Sequence, residues 1–415
     1  RNEYESAQIG VLADADAVVK FSATDLTNDA DPSKIIPAAA VRLRVVDTVR
    51  VTKNTTDAEN IVVRKAPFDC PDILRDADEI SLTSGAARAI WVTVFVPENA
   101  TSGAYSGEII VGEGEGAARI PAKLEIFNFT LPSERHLFAT NWFNPVNFAT
   151  YDDVPLWSEE YWALLEKYMV NMAEHRQNVI QVRWAPDGSF VKASRSADGE
   201  WSIDFSNLER FLTLAEKCGV ADRFEFSHVG GVNRENHTID VDSARVYDEK
   251  IGEIVWLPFT EWVEPVLGAL EKYLVETNRV DRAMIHVADE PFQPDMPAWR
   301  KVSEEIHRIA PRIKRIDAIE SIFFTDALEI WVPKLSHYDR WRDAYRSQLR
   351  SDDELWFYIC CHPFGEKYPN RFMDLPGSRI RAIHWLNYAE NLTGYLHWGY
   401  NYWQGDAFGP PSESW

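Results

Sequence analysis

A chain of 415 residues exceeds what one hydrophobic core usually supports, so two domains are expected. Its 45% hydrophobic and 26% charged residues are those of a globular protein. The net charge of −22 argues against nucleic acid or an anionic membrane as partner, because phosphate binding needs a basic surface. No run approaches the roughly eighteen apolar residues of a spanning helix, so no membrane insertion is expected.

The chain opens Arg-Asn-Glu-Tyr, without an initiator Met or a signal peptide. It therefore reads as a mature or trimmed product, of the kind secretion or export to a periplasm leaves behind. Sixteen Trp residues are many for this length. Indole faces stack on sugar rings, and they also fill cores between helices and strands. Cys70, Cys218, Cys360 and Cys361 form neither a zinc spacing nor a disulfide framework, and neighbouring Cys360 and Cys361 are expected as buried thiols on opposite faces of a strand. The ten His residues contain no HExxH pattern, so neither a catalytic metal nor a cofactor is expected.

Residues 1–132 read as an all-β sandwich domain. VRLRVVDTVRV (Val41–Val51) has partial alternation, and AIWVTVFVP (Ala89–Pro97), YSGEIIVGEGEG and ARIPAKLEIFNFTLP are short strands punctuated by Gly and Pro. The stretch Leu131-Pro132-Ser133 is the expected boundary. From there to residue 415 the pattern alternates strand and helix. A helix from Glu159, N-capped by Ser158, puts Tyr161, Leu164, Leu165, Tyr168, Met169 and Met172 on one face. Others start near Leu208 and stop at Gly219, follow Thr260, and carry Trp299, Val302, Ile306 and Ile309 before Pro311. Between them lie LFATNWF, NVIQVRW, RFEFSHV, AMIHVADEP, RIDAIES, ALEIWVP, LWFYICC and GYLHWGYNYW. Eight buried strands alternating with helices predict a (β/α)8 barrel over residues 133–415.

Reactive groups in such barrels sit at the carboxyl ends of strands. Those ends carry Asn141, Trp184, His228, Asp289, Glu290, Tyr358, His362, Trp398, Asn401 and Trp403, polar or aromatic where the strand bodies are aliphatic. Asp289–Glu290 stands apart from the chain's other Asp-Glu pairs because it terminates an apolar strand. Pro291 is expected to hold Glu290 extended, and alternation places Met284, His286, Ala288 and Glu290 on the barrel side. Asp289 then reaches the barrel mouth only through a bend at the strand end. Two crowded carboxyls raise one pKa, so that group stays protonated as a general acid for glycosidic cleavage. The plainer reading is a helix N-cap or an ion-paired loop.

The runs IHVADEP, LWFYICCHPFGEKYPNRF, RIRAIHWLNYAEN and GYLHWGYNYW, with the earlier WVTVFVPENATSGAYSGEI, resemble glycoside hydrolase family 123 from near Glu3 to the end of the chain. The resemblance implies an exo-acting, retaining β-N-acetylgalactosaminidase that acts on glycans or glycoconjugates with a terminal β-linked N-acetylhexosamine. It assigns Glu290 as acid/base and Asp289 to the substrate's acetamido group, whose carbonyl oxygen is the nucleophile. Tyr358 would bond that oxygen, and Trp385, Trp398 and Trp403 would wall the pocket. Family members continue into a closing helix where this chain ends at PPSESW, so the barrel is expected to lack its last helix. Two alternatives stay open: double displacement with Glu290 as acid/base and Glu366 as nucleophile, and a non-catalytic glycan-binding protein.

Overall fold

The computed structural model describes residues 1–55, 61–186 and 190–401, which fall into two compact units. The first comprises Arg1–Arg135 with Phe372–Asp374, and the second holds the rest from His136. The first is a sandwich of two antiparallel sheets. One sheet orders its strands Glu3–Val11, Arg88–Val96, Val41–Val51 and Phe68–Asp76. The other is built around Gly103–Val111, flanked by Leu26–Asn28 and Ala17–Ala23, with Ala118–Ile126 also paired to it. Alternate residues of each sheet turn inward. Val45 and Ile90 of the first meet Phe21, Ile80, Leu82 and Val111 of the second, which makes a dry seam.

The second unit contains eight parallel strands in one sheet. In chain order they are β1 (Phe138–Asn141), β2 (Val179–Val182), β3 (Arg223–Phe226), β4 (Ala283–His286), β5 (Lys314–Ile319), β6 (Ile330–Pro333), β7 (Glu354–Ile359) and β8 (Gly394–His397). Six fall within the expected runs, and β5 and β7 start one residue before theirs, at Lys314 and Glu354. Each strand from β2 to β7 pairs with its successor, and β8 returns to β1. Buried amides close the β1–β2 seam. Asn178 Oδ1 accepts the Ala139 N–H at 2.8 Å, and the Asn178 N–H donates to Ala139 O at 3.2 Å. Gln177 Nε2 donates to Asn141 O at 3.1 Å. A barrel seam without ladder bonds would strand buried backbone groups, and these side chains supply the missing partners.

Val179, Met284, Ile316, Ala318, Ile330, Val332, Trp356, Tyr358 and Leu396 fill the barrel interior. Gly394 opens β8 because nothing larger fits: a Cβ there would meet the Trp356 ring at 2.1 Å. Gly394→Ala should therefore destabilise the fold by about 1–3 kcal/mol through overpacking, read as a lower denaturant midpoint with an unchanged m-value.

Helices α1 (Glu159–Glu174), α2 (Ser206–Cys218), α3 (Phe259–Glu276), α4 (Met296–Ile309), α5 (Leu335–Gln348) and α6 (Ile383–Ala389) cover the strands. Ser158 caps α1 by accepting the Tyr161 N–H at 3.1 Å, and α2 stops at Gly219 with φ +75°. Their buried stripes, such as Leu165, Met169 and Met172 or Phe211, Leu212 and Ala215, form the outer core against the strands. The strict alternation expected from the sequence breaks once: among the described residues, β5 and β6 are joined without a helix. The expectation of a missing eighth helix concerns residues 402–415 and lies outside the described residues. Among those described, no helix is long and apolar enough to cross a membrane.

Candidate active site

At the carboxyl ends of the barrel strands lies an open cavity of about 470 Å³, lined among others by Trp142, Asp289, Glu290, Tyr358, Trp398 and Asn401. Both acids reach it because strand alternation fails just beyond β4. Met284 belongs to the barrel interior, whereas Val287 and Ala288, two successive residues, both pack into the outer core. After that slip the next two side chains both face the cavity. The bend needed to bring Asp289 in is thus real, and it sits one residue before the pair.

Glu290 is not extended, as Pro291 was expected to make it; its φ is +50°, the left-handed region. Two hydrogen bonds on its backbone override the proline's preference. The Glu290 N–H donates to Ala318 O on β5 at 3.1 Å, and Arg234 Nη2 donates to Glu290 O at 2.6 Å. Arg234 is itself held by Asp295 at 3.0 Å and lies over the Phe292 ring. A non-glycine residue in this region costs about 1–3 kcal/mol, which the surrounding contacts must offset.

Beneath the acids runs a buried polar layer that spans four strands, β1, β3, β4 and β5. Glu225 on β3 accepts from Trp142 Nε1 at 2.8 Å and from Thr140 Oγ1 at 2.5 Å, and pairs with His286 Nε2 at 2.6 Å. The other ring nitrogen of His286 meets Asp317 Oδ1 on β5 at 3.1 Å. Asp317 also accepts from the Ala288 N–H at 2.8 Å and Trp299 Nε1 at 2.7 Å. Burial alone would hold His286 neutral, but its bonds to Asp317 and Glu225 prevail and push it up to about 9. His228 has no such partners. Burial, then the neighbouring His286, hold it well below the ordinary histidine value. Its Nε2 stands 3.9 Å from Asp289 and 3.8 Å from Asp317, without a hydrogen bond.

Asp289 is pushed up to about 7, first by the protein packed around it and then by the charges of Glu290 and Asp317. Half of its side-chain surface still faces the cavity, where water screens it, so the full shift belongs to a site whose water has been displaced. Burial first and crowding second thus raise Asp289, so the raised carboxyl is not the one the resemblance assigns as acid, and the expected rule that the raised group is the acid does not pick out Glu290. Tyr358 donates to Glu290 Oε1 and, at 3.3 Å, to Glu320 Oε1, which is ion-paired with Lys334. Burial and these carboxylates raise the phenol well above its ordinary value, so it remains a donor.

The remaining expected residues divide. Trp398 lines the cavity. Asn401 lines it too, but its amide brackets the Asn144 backbone with two bonds of 2.8 Å, so it mainly fixes a loop. Asn141, Trp184, His362 and Trp385 are not on the cavity wall. Asn141 is taken up by Gln177 and Arg371 at the barrel seam. Trp184 is fully buried against Trp262, and its indole N–H donates to Ser227 O at 2.9 Å. Trp385 is exposed on α6 and His362 is exposed beyond β7. Trp403 lies outside the described residues. Cys360 and Cys361 depart from expectation: β7 ends at Ile359, so the two do not alternate across a strand and both line the cavity, with Cys361 exposed. Trp142, Asn144, Gln181, Glu225 and Asp317 were not foreseen. A charged residue inside the buried run RFEFSHV was the available signal for Glu225.

Comparison with known proteins agrees with this architecture. The family described as glycoside hydrolase 123, catalytic domain, matches residues 142–414, and the glycoside hydrolase 123 N-terminal domain matches residues 1–113. Among solved structures, a family 123 glycoside hydrolase from Clostridium perfringens, studied for glycolipid glycan hydrolysis, superposes with a TM-score of 0.73 at 16% identity. The match covers 96% of this chain and 73% of that one. A β-glucuronidase from Parabacteroides merdae aligns with a TM-score of 0.32 at 11% identity, over 95% of this chain and 47% of its own. A family 5 glycoside hydrolase from Bacteroides vulgatus gives 0.36 at 13% identity, over 63% and 57%. No curated protein matches. With both family domains matched in order along a sandwich and a barrel, the chain belongs to glycoside hydrolase family 123.

Proposed function

We propose that the chain is a retaining, exo-acting β-N-acetylgalactosaminidase whose nucleophile is the substrate's own 2-acetamido oxygen. One observation carries this reading. Asp289 and Glu290 share one cavity wall, while Glu366, the acid that double displacement would use, is exposed beyond β7 and is not on that wall. An enzyme nucleophile must sit about 5–5.5 Å from the acid/base, across the scissile bond. Glu320 stands behind Tyr358, nearly buried and held by Lys334, a placement that suits support better than attack.

In the first step Glu290 gives its proton to the glycosidic oxygen as the bond to the anomeric carbon breaks. The acetamido oxygen attacks that carbon from the opposite face. Asp289 accepts the acetamido N–H and offsets the positive charge of the oxazolinium ion. In the second step Glu290, now a carboxylate, takes a proton from water, which opens the ring at the same carbon. Two inversions retain configuration. Trp142 and Trp398 supply ring faces for the sugar. A pure binding protein gains little from keeping two carboxyls so close that one resists ionisation, which weighs against the third reading.

The test compares a chromogenic N-acetyl-β-D-galactosaminide with the matching β-D-galactoside. Hydrolysis of the first alone is expected, and Glu366→Ala should retain its rate within about threefold, as surface substitutions usually do. Equal hydrolysis of both would indicate double displacement; hydrolysis of neither would favour a binding protein.

A further inference from the structure

We infer that Cys360, Cys361 and His362, where the chain leaves β7, form an inhibitory site for a Zn²⁺-class cation on the wall of the active-site cavity. The two sulfurs and an imidazole nitrogen lie within 4.8 Å of one another. Cys361 Sγ is 3.5 Å from His362 Nδ1. Bonds of about 2.3 Å to sulfur and about 2.0–2.1 Å to nitrogen at tetrahedral angles require a sulfur–nitrogen edge of about 3.5 Å. The His362 N–H donates to Cys360 Sγ at 3.3 Å, while burial pushes the Cys360 thiol up to about 12, so a bound ion must displace its proton.

The turn is also fixed in advance. Asn370, almost fully buried, donates to Cys360 O at 3.1 Å and to Pro363 O at 3.0 Å, which pins both sides of the three ligands. Two sulfurs with one imidazole select borderline-soft ions over Mg²⁺ or Ca²⁺. On binding, each thiol releases its proton to solvent and the two thiolates balance the ion's charge, leaving a fourth position open. Since both cysteines line the cavity that holds Asp289 and Glu290, the bound ion occupies space a sugar needs. A second group, His228, His286 and Asp317, also has its ligand atoms within 4.8 Å, but both nitrogens of His286 are already bonded and no sulfur is present.

The experiment uses the full chain, with thiols kept reduced by a phosphine, and Co²⁺ as a coloured substitute. One equivalent of Co²⁺ should give the intense visible bands of a tetrahedral site together with ultraviolet thiolate charge transfer, and Zn²⁺ should displace it. The spectrum should vanish in Cys360→Ser/Cys361→Ser and persist in Cys70→Ser/Cys218→Ser. His362→Ala should weaken binding by more than the roughly 10- to 100-fold that loss of an outer-shell partner costs. Zn²⁺ should raise KM for the chromogenic substrate without lowering kcat, and Cys361→Ser, measured against its own metal-free rate, should resist it. Absence of the thiolate band, its survival in the double serine variant, or a Zn²⁺ effect on kcat alone would overturn the inference. The spectroscopic arm does not depend on the substrate assignment, so failure of that reading leaves the metal test intact.

Discussion

Asp289→Asn should lose about a hundredfold or more of the rate on an N-acetyl-β-D-galactosaminide, because a neutral amide cannot offset the charge that develops on the acetamido nitrogen. The same substitution should alter two pH profiles. Asp289 must be ionised to act, and its carboxyl is pushed from the ordinary 3.8 up to about 7 once water is displaced, so wild-type kcat, which reports the substrate-filled site, should fall as the pH drops through that region. The residual activity of the variant should lack this acidic limb. Stability should move the other way. In the folded chain the raised carboxyl holds its proton more tightly than in the unfolded one. The stabilisation present below 3.8 is therefore lost as the pH climbs to about 7, and stays lost above it. Asn has no proton to lose. The variant should gain Tm over wild type progressively across that window, then hold the gain, with solvent in the open cavity limiting its size. A variant less stable than wild type at pH 8, with its acidic limb intact, would place the titrating group elsewhere.

Glu290→Gln should lose about 10²- to 10⁴-fold on substrates with poor leaving groups, the range that a general acid contributes. On aryl glycosides whose leaving group needs no proton the loss should be much smaller. Gln preserves the acceptor for Tyr358 and leaves untouched the backbone bonds to Ala318 and Arg234 that hold position 290 at φ +50°. A loss confined to poor leaving groups therefore isolates the proton. Equal losses on both kinds of substrate would remove Glu290 from the role of acid.

Much of the fold was legible because the eight strands are short apolar runs separated by amphipathic helices, and both signals survive without knowledge of neighbours. What failed depended on tertiary partners. Helix α5 follows from the βα alternation but carries no clear apolar stripe of its own, because its stretch is strongly polar, buries chiefly Leu335, Tyr338 and Tyr345, and contains a non-helical Trp341. Trp184 is a candidate by its strand-end position alone, and a strand end does not announce which face its next side chain will take; here the indole turns into the helix layer. The same uncertainty of one residue favoured Asn141 over its neighbour Trp142, which lines the cavity. Pro291 favours an extended Glu290, but a backbone bond to β5 and a guanidinium from the loop after β3 override that preference and hold it at φ +50°. The layer of Glu225, His286 and Asp317 joins residues up to 92 positions apart in sequence (225 to 317), a pairing that only the closed sheet creates.

The central claim is that the acetamido oxygen, rather than an enzyme carboxylate, attacks the anomeric carbon. The measurement that tests it most directly is kcat/KM across a series of aryl β-N-acetylgalactosaminides whose acetyl methyl carries none, one, two or three fluorines. Fluorine withdraws electrons from the carbonyl and weakens it as a nucleophile while the leaving group stays constant. Substrate assistance predicts a steep, continuous fall along the series, together with tight inhibition by a thiazoline mimic of the intermediate. A flat series, or a fluorosugar trapped covalently on Glu366 or Glu320, would contradict the account.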